Sequence, residues 1–239
     1  MHSPLTPNFD DLPAEIPLFP LAEVLLLPSG LLPLNIFEPR YIAMIEHAFK
    51  HERLIGMIQP KAQDTSKDTN KNTTTNAEDA PSAKRPINSC LYNIGCAGRI
   101  TRFDETNDGR YEVTLSGLCR FAITGGALQE SGFYTAKVNW AGFEQDMNHD
   151  HAFMLDRDRL NILLKKYFIA HQLNVCWETI KNTPNHMLIT ALSMICPFTA
   201  QEKQELLETE NCEKRAQHLT NMLEMSIADT ACGDNTSCC

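Results

Sequence analysis

The sequence predicts an α+β protein in which a β-rich N-terminal part is followed by a helical C-terminal part. Between residues 90 and 143, stretches that favour strands are separated by turn residues at intervals of roughly ten. After residue 148, apolar residues recur at the three- and four-residue intervals of amphipathic helices. Hydrophobic residues make up 43% of the 239 residues, which is the composition of a chain that folds around a core. We therefore predict three regions: a β subdomain over 1–145, a helical subdomain over 146–228 and a flexible tail over 229–239.

The densest apolar stretch lies at residues 31–45 and predicts a strand followed by a short helix. The strand ends at Phe37, Glu38 caps the helix, and Pro39 takes the first helical position. Proline is tolerated there because a backbone N–H at that position would have no acceptor within the helix. We interpret Glu38 and Arg40 as a local ion pair that fixes this corner, with a partner-binding site as the alternative. Helical spacing predicts that four side chains of this helix are buried: Tyr41, Met44, Ile45 and Phe49.

Residues 61–86 contain no aromatic residue and no Leu, Ile, Val or Met. Such a segment buries too little apolar surface to offset the entropy lost on ordering, so it predicts a disordered insertion within the β subdomain. Strands are expected on both sides of it, at 54–58 and at 90–95.

The β pattern continues after the insertion with strands that are joined by turns. The sequence Asn-Asp-Gly at 107–109 tolerates positive φ and predicts a hairpin. Gly125, Gly126 and Gly132 are interpreted as turns between the later strands. The strands predicted in this region are 99–103, 110–115, 119–124 and 134–140.

Helical patterns fill the C-terminal part. The predicted helices cover 150–171, begin at Thr183 and end before Pro197, open at Thr199, and cover 213–227. Thr199 and Glu202 have the spacing of a capping box, in which each side chain bonds a backbone amide of the other residue. The second helix is predicted to turn five apolar side chains inward: Met187, Leu188, Ala191, Leu192 and Ile195.

Charge and apolar patterning argue against nucleic-acid binding and membrane insertion. The net charge of −9 and the pI near 5.3 disfavour a basic surface that would bind the phosphates of a nucleic acid. The apolar stretch at 16–37 is interrupted by four prolines and by Glu23, and acidic residues precede it where a secretory signal needs positive charge. The nine cysteines contain no C-x-x-C pair, so we expect reduced thiols. We therefore predict a cytoplasmic protein.

The sequence lacks three common motifs of catalysis. No P-loop, no G-x-G-x-x-G and no G-x-S-x-G occurs, so we predict no catalytic residue and no cofactor. His47 and His51 have metal-ligand spacing on a helix but lack the glutamate of H-E-x-x-H, and we interpret them as residues at a helix C-terminus. His149 and His151 flank an aspartate in a polar linker. No metal site is predicted, although binding by either pair remains open.

A set of short segments resembles one known family. These segments are 16–21, 27–30, 34–41, 94–100, 108–111, 115–121 and 197–208, followed by Arg215. Together they resemble the N-terminal, substrate-binding domain of Lon proteases, which is also found in cereblon and as short stand-alone bacterial proteins. The resemblance covers about residue 14 to about residue 225. The residues interpreted as its structural signature are Phe37, Glu38, Pro39, Arg40, Tyr41, Gly95, Arg99, Gly117 and Arg120.

This resemblance implies a fold and a role. The fold is a twisted, PUA-like β pseudo-barrel followed by a helical bundle. The role is to engage substrate polypeptide and to help a hexamer assemble, whereas ATP hydrolysis and Ser-Lys proteolysis belong to later Lon domains, which we expect this chain to lack. The insertion at 61–86 is longer than the corresponding connection in the family, and the cysteine-rich tail has no counterpart there.

We therefore predict a non-enzymatic module that binds unfolded polypeptide or a protein partner, including a full-length Lon protease. Leu27, Leu31 and Leu32 are the candidate contacts, because a leucine-rich loop cannot turn every side chain inward around its turn. The alternative for these leucines is that they close the barrel.

Two other functions remain as alternatives. One is RNA binding, because PUA-like folds include RNA binders and four arginines on neighbouring strands would form a local basic stripe. The residues of that stripe are Arg99, Arg102, Arg110 and Arg120. The other is a protease-associated regulator or an autonomous hydrolase.

Overall fold

The computed structural model describes residues 7–61, 87–148, 153–173 and 175–233. Residues 1–6, the insertion at 62–86, residues 149–152 with His149 and His151, residue 174 and the last six residues lie outside the described part. The chain divides into two compact units. The first comprises Met1–Asn148 and Phe198–Leu207, and the second comprises His149–Pro197 and Glu208–Cys239.

The α+β prediction is confirmed. The strands are β1 (Glu15–Pro20), β2 (Leu31–Ile36), β3 (Leu54–Ile58), β4 (Ile94–Glu105), β5 (Tyr111–Leu128) and β6 (Tyr134–Asn139). The helices are α1 (Pro39–Phe49), α2 (Ile87–Cys90), α3 (Arg157–Ala170), α4 (Trp177–Asn182), α5 (Asn185–Ile195), α6 (Ala200–Glu208) and α7 (Cys212–Gly233). Two short 3-10 helices lie at Phe9–Asp11 and Glu144–Met147.

The strands of the first unit form one sheet in the order β2-β5-β4-β3-β1-β6. Strand β1 runs parallel to β3, and the other neighbours are antiparallel. The sheet closes on itself because β5 is long enough to pair twice: its first half pairs with β2 and β4, and its second half pairs with β6. Strand β2 is therefore attached to the closed ring through β5.

The closed sheet surrounds the core of the first unit. Every residue of β3 is buried, and the Phe121 ring contacts the Trp140 ring edge-on at 5.9 Å between centroids. The indole N–H of Trp140 donates to the Pro13 carbonyl at 2.8 Å, so its polar group is satisfied. The barrel is thus filled by side chains.

Most of the N-terminal elements follow the predictions. The strand-to-helix corner is present, with Pro39 at the first helical position and Glu38 at the N-cap position, but β2 ends at Ile36 and the Glu38 side chain makes no capping hydrogen bond. In α1, Ala48 is buried in place of the half-buried Phe49. The hairpin is confirmed, and Gly109 has a φ of 80°. The prediction of a strand at 90–95 is wrong over its first part, since α2 ends at Cys90 and β4 begins at Ile94.

The glycine pair Gly125-Gly126 was expected to end a strand but lies inside β5. A register shift between Ile123 and Gly125 interrupts the pairing of β5 with β6. This irregularity bends a continuous strand, as β-bulges do, and so replaces the expected turn.

The helices of the second unit differ from the predictions in their ends. Helix α3 begins at Arg157 rather than at 150, because Asp156 caps it by accepting a hydrogen bond from the Arg159 amide at 2.9 Å. Helix α4 was not predicted. Helix α7 extends to Gly233, so a helical backbone continues through five residues that were assigned to the tail.

Helix α5 buries a different face from the one predicted. Leu188 and Leu192 are buried as expected, but Met187 is 48% exposed and Ile195 is 77% exposed, while Ile189 is fully buried. This helix is apolar on several sides, so hydrophobic spacing alone did not identify the face that packs.

Helix α6 belongs to the first unit up to Leu207. Its capping box is confirmed: the Thr199 amide donates to the Glu202 carboxylate at 2.8 Å, and the Glu202 amide donates to the Thr199 hydroxyl at 3.3 Å. The chain thus returns from the helical part to the β part, which a simple division near residue 145 did not anticipate.

Candidate functional site

The three leucines proposed as polypeptide contacts lie in different environments. Leu27 is fully buried, Leu32 is half-buried, and Leu31 is 65% exposed. The chain turns between Leu27 and Leu31, where Ser29 has a φ of 64° and the Gly30 amide donates to the Leu27 carbonyl at 2.9 Å. Leu27 therefore packs in the core before the turn, whereas Leu31 begins β2 on the surface.

Strand β2 alternates between an exposed and a less exposed face. Leu31, Pro33 and Asn35 are exposed. Leu32 and Leu34 are half-buried, and Ile36 is buried. The exposed face therefore starts with a large aliphatic side chain.

The residue after β2 also exposes an apolar side chain: Phe37 is 63% exposed. The corner that follows is held by an ion pair of 2.6 Å between Arg40 and Glu38. The Arg40 guanidinium also lies 4.6 Å from the centroid of the Tyr41 ring. This agrees with the interpretation of Glu38 and Arg40 as a local pair, which positions the backbone beside Phe37.

An aromatic group that the sequence reasoning missed lies near β2. The Phe103 ring contacts the rings of Phe49 and Tyr111 edge-on, with both pairs of centroids 4.9 Å apart. Phe103 is 38% exposed. In the sheet register, Phe103 faces Val113, which in turn faces Leu34 of β2. These residues continue the apolar face of β2 across two neighbouring strands.

A cleft of about 360 Å³ lies beside β2 and is lined by residues from both of its faces. The lining residues are Pro33, Leu34, Asn35, Arg102, Glu112, Val113 and Thr114. Arg102 forms an exposed ion pair with Asp104 at 2.8 Å. Glu112 is exposed, and within the described residues it has no ion-pair partner. We refer to strand β2 with Phe37, the aromatic group and this cleft as the β2 surface.

Three of the four arginines of the proposed basic stripe are either paired with a carboxylate or buried. Arg102 pairs with Asp104 at 2.8 Å and Arg110 with Asp108 at 2.7 Å. Arg120 is buried. Arg99 is half-buried and has no ion-pair partner among the described residues, so the stripe offers a phosphate backbone one arginine that is neither paired nor fully buried.

Arg120 forms a buried ion pair with Asp146. The Nε and Nη2 atoms of Arg120 each donate to a different carboxylate oxygen at 2.8 Å, and the Arg120 amide donates to the same carboxylate at 2.9 Å. Its Nη1 atom donates to the Leu207 carbonyl at 3.1 Å. Burial alone lowers the pKa of the guanidinium, but the hydrogen bonds and charge of Asp146 raise that pKa above its ordinary value. Arg120 is thus charged and joins β5 to α6.

His47 lies in the last turn of α1, and His51 lies in the turn that follows it. The rings of His47 and His51 stack with their centroids 4.3 Å apart. Burial lowers the pKa of His47, and the neighbouring His51 and Lys50 lower it further. No group of three potential metal ligands occurs among the residues that the structure describes, and none of its helices is long and apolar enough to cross a membrane.

The cysteines differ strongly in their environments. Cys119 is fully buried, and burial raises its pKa to about 12. Cys176 is exposed, and hydrogen bonds from Thr179 and from the Glu178 backbone lower its pKa. Thiolates are the reactive form of cysteine, so we expect Cys176 to be more reactive than Cys119.

We expect iodoacetamide at neutral pH to alkylate Cys176 well before Cys119, because Cys176 is accessible and has the larger thiolate fraction. Peptide mapping by mass spectrometry over a time course measures the two rates separately. In the denatured protein both should react at similar rates, which serves as the control. Equal rates in the native protein would contradict the burial of Cys119.

Comparison with known proteins identifies relatives of the chain. A family model described as the ATP-dependent protease La (LON) substrate-binding domain matches residues 15–225. The Lon protease of Anaeromyxobacter dehalogenans is 25% identical over 234 residues, which cover 93% of this chain and 24% of that protein. The Lon protease of Dictyoglomus thermophilum is 26% identical over 235 residues, which cover 92% of this chain and 26% of that protein. The chain thus spans about a quarter of the length of these relatives.

Two solved structures resemble the chain in fold. A Lon N-terminal domain protein from Xanthomonas campestris aligns with a TM-score of 0.53 and 19% identity, over 86% of this chain and 96% of that one. The N-terminal domain of the Mycobacterium avium complex Lon protease aligns with a TM-score of 0.54 and 16% identity, over 88% and 98%.

Proposed function

Because the chain belongs to the family of Lon substrate-binding domains, we propose that it recognises unfolded polypeptide through the β2 surface and does not itself catalyse a reaction. The observation that carries this proposal is the exposure of large apolar side chains at the two ends of β2. Leu31 is 65% exposed and Phe37 is 63% exposed. Exposed apolar groups beside a cleft are typical of sites that bind other proteins.

The energy available at this surface suits transient binding. Burying the exposed part of each side chain would contribute roughly 1–2 kcal/mol, taking about two thirds of the value for a complete side chain. The aromatic group of Phe49, Phe103 and Tyr111 adds further apolar area on one face. Such a surface would bind apolar segments that are buried in folded proteins and exposed in unfolded ones. A protein partner, including a full-length Lon protease, would be bound in the same way.

We expect the double substitution Leu31→Ser and Phe37→Ser to weaken binding of reduced, carboxymethylated casein about tenfold or more, since it removes both apolar contacts. Fluorescence anisotropy with labelled casein measures the affinity. Ile169→Ser is the matched control, because Ile169 is a 79% exposed aliphatic residue of the helical unit. Thermal melts of the variants check that each remains folded.

Other outcomes of these measurements would contradict the proposal. Unchanged binding by the folded double variant would remove the β2 surface as the site, and absence of binding by the original protein would remove polypeptide recognition. Cleavage of casein or hydrolysis of ATP by the purified chain would favour the hydrolase alternative. Retention of RNA on filters at low salt, lost as salt rises, would favour the RNA-binding alternative.

A further inference from the structure

Strand β2 has a free edge. It pairs with β5 on one side, and on the other side no strand of the described residues lies next to it. The register is regular over all six residues, from Leu31 opposite Ser116 to Ile36 opposite Tyr111. An edge of this kind presents a row of backbone donors and acceptors to any extended chain that approaches it.

The pairing pattern identifies which backbone groups face outward. The Gly117 amide donates to the Gly30 carbonyl at 2.8 Å, immediately before β2 begins. Since hydrogen-bonded and non-hydrogen-bonded pairs alternate along an antiparallel ladder, every second residue from Gly30 onward bonds to β5. The residues between them turn their N–H and C=O groups to the free edge. These outward residues are Leu31, Pro33 and Asn35.

Pro33 supports this assignment independently. Proline has no N–H, so within a sheet it occupies positions where the nitrogen faces away from the neighbouring strand. Pro33 falls on an outward position, as the alternation requires. The free edge therefore offers the N–H groups of Leu31 and Asn35 together with the carbonyls of all three outward residues.

We propose that an extended polypeptide segment with alternating apolar and basic side chains binds by adding a strand to the free edge of β2. This proposal rests on the proposed function and states how the β2 surface would hold its partner. Main-chain hydrogen bonds to Leu31, Pro33 and Asn35 fix the segment without regard to its sequence, as in other cases of strand addition.

The two faces of β2 determine which side chains such a segment carries. Side chains of an added strand alternate between faces, as those of β2 do. One face runs from the half-buried Leu34 through the buried Val113 to Phe103, which is 38% exposed, and it suits aliphatic or aromatic side chains. The other face begins with the exposed Leu31, and at its far end Asn35 lies opposite Glu112 of β5, a carboxylate without an ion-pair partner among the described residues. A basic side chain complements that face, and the net charge of −9 favours approach of a basic segment.

Backbone methylation of a short synthetic peptide tests strand addition in the full chain. The parent peptide alternates Val or Phe with Lys. Two derivatives carry N-methyl groups on alternate peptide nitrogens, one on the odd and one on the even positions. In an added strand only one of these sets faces β2, so we expect one derivative to lose affinity about tenfold or more while the other binds like the parent. The two derivatives have the same composition and serve as controls for each other.

Hydrogen exchange of the protein gives a second readout. On binding of the parent peptide, the amides of Leu31 and Asn35 are expected to gain protection, because they would then donate hydrogen bonds to the peptide and no longer to water. The amides of Leu32, Leu34 and Ile36 already bond to β5 and should change little. A peptide with Gln in place of Lys is expected to bind more weakly, and Glu112→Gln should reduce this difference.

The outcomes separate this proposal from the proposed function. If the parent and both methylated peptides bind alike, or if both derivatives lose affinity equally, polypeptide binding stands and strand addition is overturned. If the parent peptide and unfolded casein both fail to bind, the proposed function fails as well. A stable dimer with Leu31 and Asn35 protected in the absence of peptide would show that a second copy of the chain occupies the edge, which would also overturn the proposal.

Discussion

Replacement of Arg120 by alanine is expected to lower the free energy of unfolding of the β unit by about 3–5 kcal/mol, the range for breaking a buried ion pair. The side chains of Arg120 and Asp146 are only 4% and 7% exposed. Without the guanidinium, the carboxylate remains buried with one backbone amide as its identified donor, and the Leu207 carbonyl loses a hydrogen bond. Urea denaturation measures the effect through Trp140, in a Trp177→Phe background that leaves one tryptophan.

Arg102→Ala is the matched control for this experiment. Arg102 lies on the neighbouring strand β4 and pairs with Asp104 at the same distance of 2.8 Å, but the two side chains are 75% and 53% exposed. Exposed pairs of this kind contribute about 0–1 kcal/mol, so the control should be nearly neutral. Similar losses in the two variants would mean that Arg120 is not buried as described.

A second variant distinguishes the ion pair from simple loss of packing. Replacing both partners, with Arg120→Met and Asp146→Leu, removes the charges together and should recover much of the stability lost in the single variant. A double variant as unstable as Arg120→Ala would show that the arginine acts through its contacts with other groups, such as the Phe143 ring 5.0 Å from its guanidinium.

The sequence predicted those elements whose signals are local. The corner at Glu38 and Pro39 and the capping box of Thr199 and Glu202 are each encoded within four residues, and both are present. The hairpin at Gly109 is equally local, because positive φ is a property of the residue itself. In each case the helix start or turn is specified by residues adjacent in the sequence, so it can be predicted without knowledge of the tertiary packing.

Features that depend on distant contacts were not predictable in the same way. Helix α6 was recognised as a helix, but its place in the β unit depends on contacts such as the hydrogen bond from the Gln59 side chain to the Ala200 carbonyl at 3.0 Å. The pairing of Arg120 with Asp146 spans 26 positions and has no sequence signature. Arg120 was identified as a signature position through the family resemblance, and its role became apparent only from its partner.

For the same reason, the sequence alone could not predict which residues of the candidate site are exposed. Leu27 and Leu31 lie four positions apart in one leucine-rich stretch, and composition treats them alike. They differ in environment because the chain turns at Ser29 and because β2 then pairs with β5 from Leu31 onward. The aromatic group around Phe103 was missed because its members come from α1, β4 and β5, and they meet only when the sheet forms.

The turn that separates these leucines depends on Gly117, and Gly117→Ala is expected to lower the free energy of unfolding by about 3 kcal/mol or more, as severe core changes do. A β-carbon at this position would lie 1.9 Å from the Leu27 carbonyl oxygen, a backbone atom that cannot move aside as a flexible side chain could. The Gly117 amide and carbonyl also bond to Gly30 and Ser29 at 2.8 and 2.9 Å. Relieving the overlap would therefore pull the turn away from β5 and break these bonds.

Gly125→Ala is the matched control, because Gly125 lies on the same strand and a β-carbon there would meet no atom within 4 Å. We expect that variant to differ from the original protein by less than about 0.5 kcal/mol. The comparison also bears on function, since the turn at Ser29 and Gly30 sets the position of Leu31 at the start of β2. Gly117→Ala should therefore weaken casein binding under conditions in which the variant is still folded, whereas Gly125→Ala should not. Normal stability and binding in Gly117→Ala would contradict both the close contact with Leu27 and the dependence of the β2 surface on this turn.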